Sequence, residues 1–232
     1  MHAPARSPIP LDTLLMAYRN GIFPMSDGRE DDEVFWVEPK ERAIIPLDRF
    51  HCSRSLRKVL AAERFEVTCN ADFGAVIEAC AQPRPGHPES WISHPIIASY
   101  RALHEIGHAH SIEVWRHGYL VGGLYGVSFD SVFCGESMFS RADNASKVAL
   151  AWLVAAMRRG GYRLLDCQFM TDHLATMGAV GMPQADYLML LEDACRHKTL
   201  PLPEAYSALS SDAEASGVAP GKLIAQSFTQ TS

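Results

Sequence analysis

One stretch, His110 to Met170, limits the possible folds more than any other. Residues 110–116, 119–128 and 131–139 read as strands, with Gly118 and Asp130 where tight turns belong, so an antiparallel meander is expected. Residues 144–159 then change period. Val148, Trp152 or Leu153, and Met157 mark a helical stripe, with Asp143 or Asn144 as cap, Arg158 and Arg159 in the last turn and Gly160-Gly161 as the stop. A further strand is expected over 162–169. Inside these apolar runs stand Glu136, Asp166 and Gln168, and burying an unpaired carboxylate is costly. Either neighbouring backbone satisfies these groups or they build a site, and two such strands favour a site.

Strict alternation places Leu164, Asp166, Gln168 and Met170 on one face of the last strand, with the Cα atoms of Asp166 and Gln168 roughly 7 Å apart. It also groups Val132, Cys134, Glu136 and Met138 on one face of the third meander strand, against Phe133, Gly135, Ser137 and Phe139.

Helices are expected over 11–20, 53–62, 72–81, 95–106 and 172–178, and strands over 35–37, 43–45, 65–69 and 185–191, with a Pro/Gly-rich loop at 82–90. A chain of 232 residues, 47% hydrophobic, can bury one medium core plus a small appendage. The expected division is a small N-terminal α/β domain over 1–62, a main domain over 63–198 and a loosely ordered Pro-, Ala- and Ser-rich tail over 199–232. Strand, two helices, three-stranded meander, helix, strand, helix, strand is the order of the N-acetyltransferase-like α/β (α+β) fold, whose central sheet is mixed and mostly antiparallel. Coenzyme A enzymes of that fold carry a Gly-rich turn before the long helix. Here the turn is Ser140-Arg141-Ala142-Asp143-Asn144, without glycine, which disfavours a CoA-dependent acyltransferase.

A net charge of −6 argues against coating nucleic acid by bulk electrostatics, though a local basic stripe could still grip phosphates. Six cysteines without a C-x-x-C pair point to a reducing compartment. No apolar run is long enough for a membrane span and Met1 to Tyr18 has no signal-peptide stretch, so a soluble cytoplasmic protein is expected. His104-Glu105-Ile106-Gly107-His108 matches the zinc pattern H-E-x-x-H. That pattern needs a helix running through its second histidine. The helix here should end at Gly107, before strand-like His110 to Trp115, so no metal is expected.

The runs Tyr18 to Pro24, Leu103 to Trp115, Gly122 to Gly126, Phe133 to Arg141, Asn144 to Lys147 and Leu165 to Gln168 together resemble the bacterial leucyl/phenylalanyl-tRNA–protein transferases, in register over about residues 11 to 195. The resemblance implies transfer of Leu or Phe, and also Met, from aminoacyl-tRNA to the α-amine of proteins beginning with Arg or Lys, creating an N-terminal degradation signal. It implies a monomer, with no cofactor and no membrane partner. By the same resemblance Asp166 polarises and orients Gln168, whose amide oxygen holds the incoming amine, while Glu136 orders the site. The amino-acid pocket falls on Leu124, Phe133, Met138, Leu150, Leu153 and Leu165, and the terminal adenine on Trp36 and Trp91. Arg54, Arg57 and Lys58 on a basic helix, with Arg49 and Arg64, are the expected tRNA phosphate contacts. Met25, Val37-Glu38 and the tail depart from the family pattern.

Overall fold

Strands β5 (Ala109–Arg116), β6 (Tyr119–Phe129) and β7 (Val132–Ser140) form the expected antiparallel meander in the computed structural model, which describes residues 8–83 and 90–229. Asp130, at the second turn, takes a left-handed φ of 49°. Most of the expected loop 82–90 lies outside the described residues. Helix α5 (Ala145–Gly160) follows, stopped by left-handed Gly161 at φ 80°, and returns the chain to β8 (Leu164–Asp166), which lies parallel to β7 and is followed by the short helix α6 (Asp172–Ala175). With β4 (Glu66–Cys69), β3 (Glu41–Ile44) and β9 (Val180–Pro183) the sheet has seven strands in the order β4-β5-β6-β7-β8-β3-β9, antiparallel at every pairing but β7 with β8.

Helices cover both faces of this sheet. On one, α5 meets Ile112, Leu124, Phe133 and Leu165, flanked by α2 (Arg54–Ala61). On the other lie α1 (Leu11–Arg19), α3 (Phe73–Cys80), α4 (His94–Glu105) and α7 (Gln184–Cys195), around Tyr18, Ile77, Tyr100 and Tyr187.

The structure corrects the sequence reading in four places. First, residues 185–191 are helical, not a strand. Tyr187, Leu191 and Ala194 form the buried side of α7 at helical spacing, while Met189 and Leu190 face out. A five-residue apolar run carries no period of its own, and the ladder position next to β3 is already filled by β9.

Second, the tail is ordered. Helices α8 (Leu202–Ser216) and α9 (Pro220–Ser227) bury Leu202, Ala205, Ala213 and Ile224. The cause is α5, which is apolar nearly all round and needs cover on the side away from the sheet. Third, β3 belongs to the first 62 residues yet sits inside the main sheet; only β1 (Phe23–Met25) and β2 (Phe35–Val37) make a separate two-stranded ribbon.

Fourth, alternation fails along β7. Tyr125 faces Ser137 but the next residue, Gly126, faces Gly135, so Glu136 is the extra residue of a β-bulge. Parity inverts across it, and Met138 packs against the α5-side core with Phe133 and Leu124 rather than on the face of Cys134. Gly126 makes the close approach possible: a Cβ there would lie 2.2 Å from the Cys134 carbonyl oxygen and 2.4 Å from the Phe133 ring.

Candidate active site

Parallel β7 and β8 hold together at only three positions, Val132 opposite Leu164, Phe133 opposite Leu165 and Cys134 opposite Asp166. Beyond them the bulge at Glu136 turns one strand away, and a left-handed residue, Gln168 at φ 55°, ends the other at Asp166, so the strand expected over 162–169 is cut short and the shared face of Asp166, Gln168 and Met170 does not form. A cleft of about 660 Å³ opens in the resulting wedge, within the range of small-molecule sites. Leu124, Met138, Leu150, Leu153 and Leu165 supply its apolar lining, Phe23, Met25, Trp91 and Phe169 its aromatic and thioether walls, and Glu136 and Gln168 its polar end.

Asp166 is wholly buried and fully partnered. Arg42, 2% exposed, donates from Nε to Oδ1 at 2.8 Å and from Nη2 to Oδ2 at 2.6 Å, Tyr187 donates its hydroxyl to Oδ2 at 3.1 Å, and the backbone N–H of Gln168 donates to Oδ1 at 2.9 Å. Burial alone would lower the pKa of the Arg42 guanidinium, but the hydrogen bonds and charge of Asp166 outweigh it and push the value up. Four charge-assisted bonds repay the desolvation that made Asp166 conspicuous in the sequence.

Glu136 is treated differently. Its oxygens accept from the Tyr100 hydroxyl at 3.0 Å and the Gln168 side-chain Nε2 at 3.1 Å, and the Tyr18 hydroxyl in turn bonds that of Tyr100. All of these are neutral donors. Burial raises the Glu136 pKa to about 7, against the downward pull of Tyr18 and Tyr100 and with a further upward push from the Asp166 charge.

Asp166 therefore reaches Gln168 through its backbone, in an Asx-type turn, and the amide group is tied instead to Glu136. With Nε2 committed, the amide oxygen is the group Gln168 offers to the cleft.

Of the residues expected from sequence, Asp166, Gln168, Glu136, Trp91, Leu124, Met138, Leu150, Leu153 and Leu165 meet at or behind this cleft. Phe133 is buried behind it and does not line it. Trp36 is 43% exposed on β2, opposite Pro24 and one strand away from the cleft-lining Phe23 and Met25. Arg49, Arg54, Arg57, Lys58 and Arg64 stay off the cleft, since α2 turns Leu56, Val59 and Leu60 inward; Arg64 lines a separate groove with Arg116 and Asn144. Arg42, Tyr100 and Tyr187 were not anticipated. The signal for Arg42 was a lone arginine opening the apolar run Ala43-Ile44-Ile45.

The H-E-x-x-H histidines lie elsewhere. Helix α4 stops at Glu105 and Gly107 turns left-handed at φ 81°, as expected. His104 Nδ1 bonds the Ala109 carbonyl at 2.8 Å and His108 Nδ1 that of Ser128 at 2.9 Å. Burial, aided by the charges of His104 and His108, pulls the pKa of His110 down to about 4. Among the described residues no group of three or more His, Cys, Asp or Glu is placed to hold a metal ion, and no helix is long and apolar enough to cross a membrane.

The strand order, antiparallel but for one parallel pair with the cleft opening between its strands, is that of an N-acetyltransferase-like α+β protein. Residues 44–192 match the model of the leucyl/phenylalanyl-tRNA protein transferase family, and residues 8–40 that of its N-terminal domain. Proteins named leucyl/phenylalanyl-tRNA–protein transferase are similar along most of their length. The one from Novosphingobium aromaticivorans is 55% identical over 97% of both chains, and that from Zymomonas mobilis 60% identical over 78% of this chain and 68% of its own. The chain belongs to the leucyl/phenylalanyl-tRNA protein transferase family and is a tRNA-dependent aminoacyltransferase.

Proposed function

We propose that the protein moves Leu or Phe, and also Met, from aminoacyl-tRNA to the α-amine of proteins beginning with Arg or Lys, which marks them for degradation. The observation that carries this reading is the Gln168 amide, fixed at the polar end of an apolar cleft with its nitrogen tied to Glu136 and its oxygen free to accept. An amine held by that oxygen attacks the ester carbonyl carbon. The new C–N bond forms, the bond to the ribose oxygen breaks, and the amine's proton ends on the departing hydroxyl. Exchange of an activated ester for an amide needs positioning and proton handling rather than ATP.

The other parts of the reading follow the same chemistry. Leu124, Met138, Leu150, Leu153 and Leu165 receive the amino-acid side chain, and the thioether of Met138 lets one pocket admit Leu, Met and Phe. The terminal adenine stacks on Trp91, with Trp36 on the adjoining ribbon, at about 1–3 kcal/mol per stacked base. Arg54, Arg57, Lys58, Arg49 and Arg64 meet tRNA phosphates. The Glu136 carboxylate attracts the basic first residue of the acceptor. The protein acts as a monomer in the cytoplasm, without a cofactor.

The test is to mix the full chain with Phe-charged tRNA and a peptide beginning with Arg. An added Phe is expected, and Gln168→Ala should lower the rate by roughly 10²-fold. Peptide binding without transfer and without a tRNA requirement would replace this reading with a non-catalytic adaptor.

A further inference from the structure

Arg42 has no part in the steps above, yet it is the largest fully buried side chain among the described residues. Each arm of its guanidinium is engaged: Nε and Nη2 on the two oxygens of Asp166, Nη1 on the Gly21 carbonyl at 2.8 Å. Its plane is packed between the rings of Phe23 and Tyr187, at 4.9 and 4.5 Å from their centroids. Gly21 and Phe23 lead into the β1–β2 ribbon, and Asp166 ends β8.

The residue after next, Gln168, holds a left-handed backbone that a side-chain-bearing residue adopts only when its surroundings impose it. Two grips impose it here. Asp166 Oδ1 takes the Gln168 N–H at 2.9 Å, and the N–H of Ala43, the neighbour of Arg42, donates to the Gln168 carbonyl at 3.0 Å. Adjacent residues of β3 thus hold Gln168 from both ends, one directly and one through Asp166.

We infer that Arg42 is a positioning residue for aminoacyl transfer: by clamping Asp166 with a rigid fork it fixes the turn at Gln168, and so aims the amide oxygen at the bound amine, relative to the β1–β2 ribbon. The inference rests on the transfer reading for its kinetic consequence. A lysine at this position would keep the charge but could not bond both carboxylate oxygens and Gly21 at fixed angles.

The test compares the full wild-type chain with Arg42→Lys, alone and in an Asp166→Asn background, in Phe transfer to an Arg-initiated peptide and in amide hydrogen exchange. With a cooperative melt retained, Arg42→Lys should lower kcat by roughly 10²-fold while KM for aminoacyl-tRNA moves by less than about twofold. In the Asp166→Asn background the same substitution should add less than about twofold, because its route of action is already cut. Exchange at the Gln168 amide should quicken by about tenfold with the α5 amides unmoved. Should Arg42→Lys fail to fold, Tyr187→Phe removes one donor from Asp166, keeps the ring under the guanidinium, and should lower kcat and quicken Gln168 exchange in the same direction. A folded Arg42→Lys with wild-type kcat, a loss that multiplies undiminished in the Asp166→Asn background, or unchanged Gln168 exchange in both variants would overturn the inference. A wild-type chain that transfers nothing faults the transfer reading instead, and the exchange measurement then decides the clamp without it.

Discussion

Two carboxylates stand at the same end of one cleft, and the protein handles them in opposite ways. Asp166 has an arginine, a tyrosine hydroxyl and a backbone N–H on its two oxygens, and Glu136 has tyrosine hydroxyls and an amide but no cation hydrogen-bonded to it. The difference lies in what surrounds each strand. Asp166 ends β8 next to β3, which brings Arg42 into the ladder, whereas Glu136 sits on a bulge facing the tyrosines of α1 and α4. A cation fork fixes geometry, while neutral donors leave a group able to take up a proton near neutral pH. One acid is built for placement and the other for titration.

The contrast breaks most visibly if Arg42 is removed. Arg42→Leu leaves Asp166 buried without its cation and should cost about 3–5 kcal/mol in urea unfolding, whereas Arg42→Met combined with Asp166→Leu should recover most of that stability without recovering transfer. A single variant as stable as wild type would mean that Asp166 finds other partners.

Glu136→Gln should have the opposite sign. In the folded chain Glu136 titrates at about 7, against a reference of 4.5, so between those values the folded state binds more protons than the unfolded one. Its ionisation costs stability that is absent below the lower value and fully felt above the higher. Wild-type stability should therefore fall as pH rises through that window, and Glu136→Gln should gain about 3 kcal/mol at pH 8 and nothing at pH 4. Equal melting temperatures for both proteins at pH 8 would remove the distinction between the two acids. The transfer rate carries a second signature: below about pH 7 the wild type should lose rate with the uptake of two protons, one on Glu136 and one on the amine, and the variant with one.

The smallest effect belongs to Tyr100→Phe. Losing its hydrogen bond to Glu136 should cost about 1 kcal/mol and, since that bond favours the charged form, should move the acidic limb of the rate profile to higher pH. A limb that stays put would assign the titration to another group.

Much of the fold could be read along the chain. The meander with its turns at Gly118 and Asp130, helix α5 with its double-glycine stop and the end of α4 before Gly107 all follow from local period and turn chemistry. Asp166, Gln168 and Glu136 were also conspicuous, because a polar group in an apolar run must be satisfied wherever the run is buried. Helix α7 was misread because an apolar run of five fits either period, and α8 and α9 because their apolar content is modest until α5 offers a surface to cover.

The sequence by itself determined the meander, helix α5 and which side chains needed partners, since these follow from neighbours a few residues apart. Only the tertiary structure decided who those partners are. Arg42 meets Asp166 across 124 positions of chain, Tyr100 meets Glu136 across 36, and the bulge that swings Met138 into the pocket exists only as a mismatch between two paired strands. Such choices depend on which surfaces are brought together when the sheet is covered on both faces, and no local pattern records them.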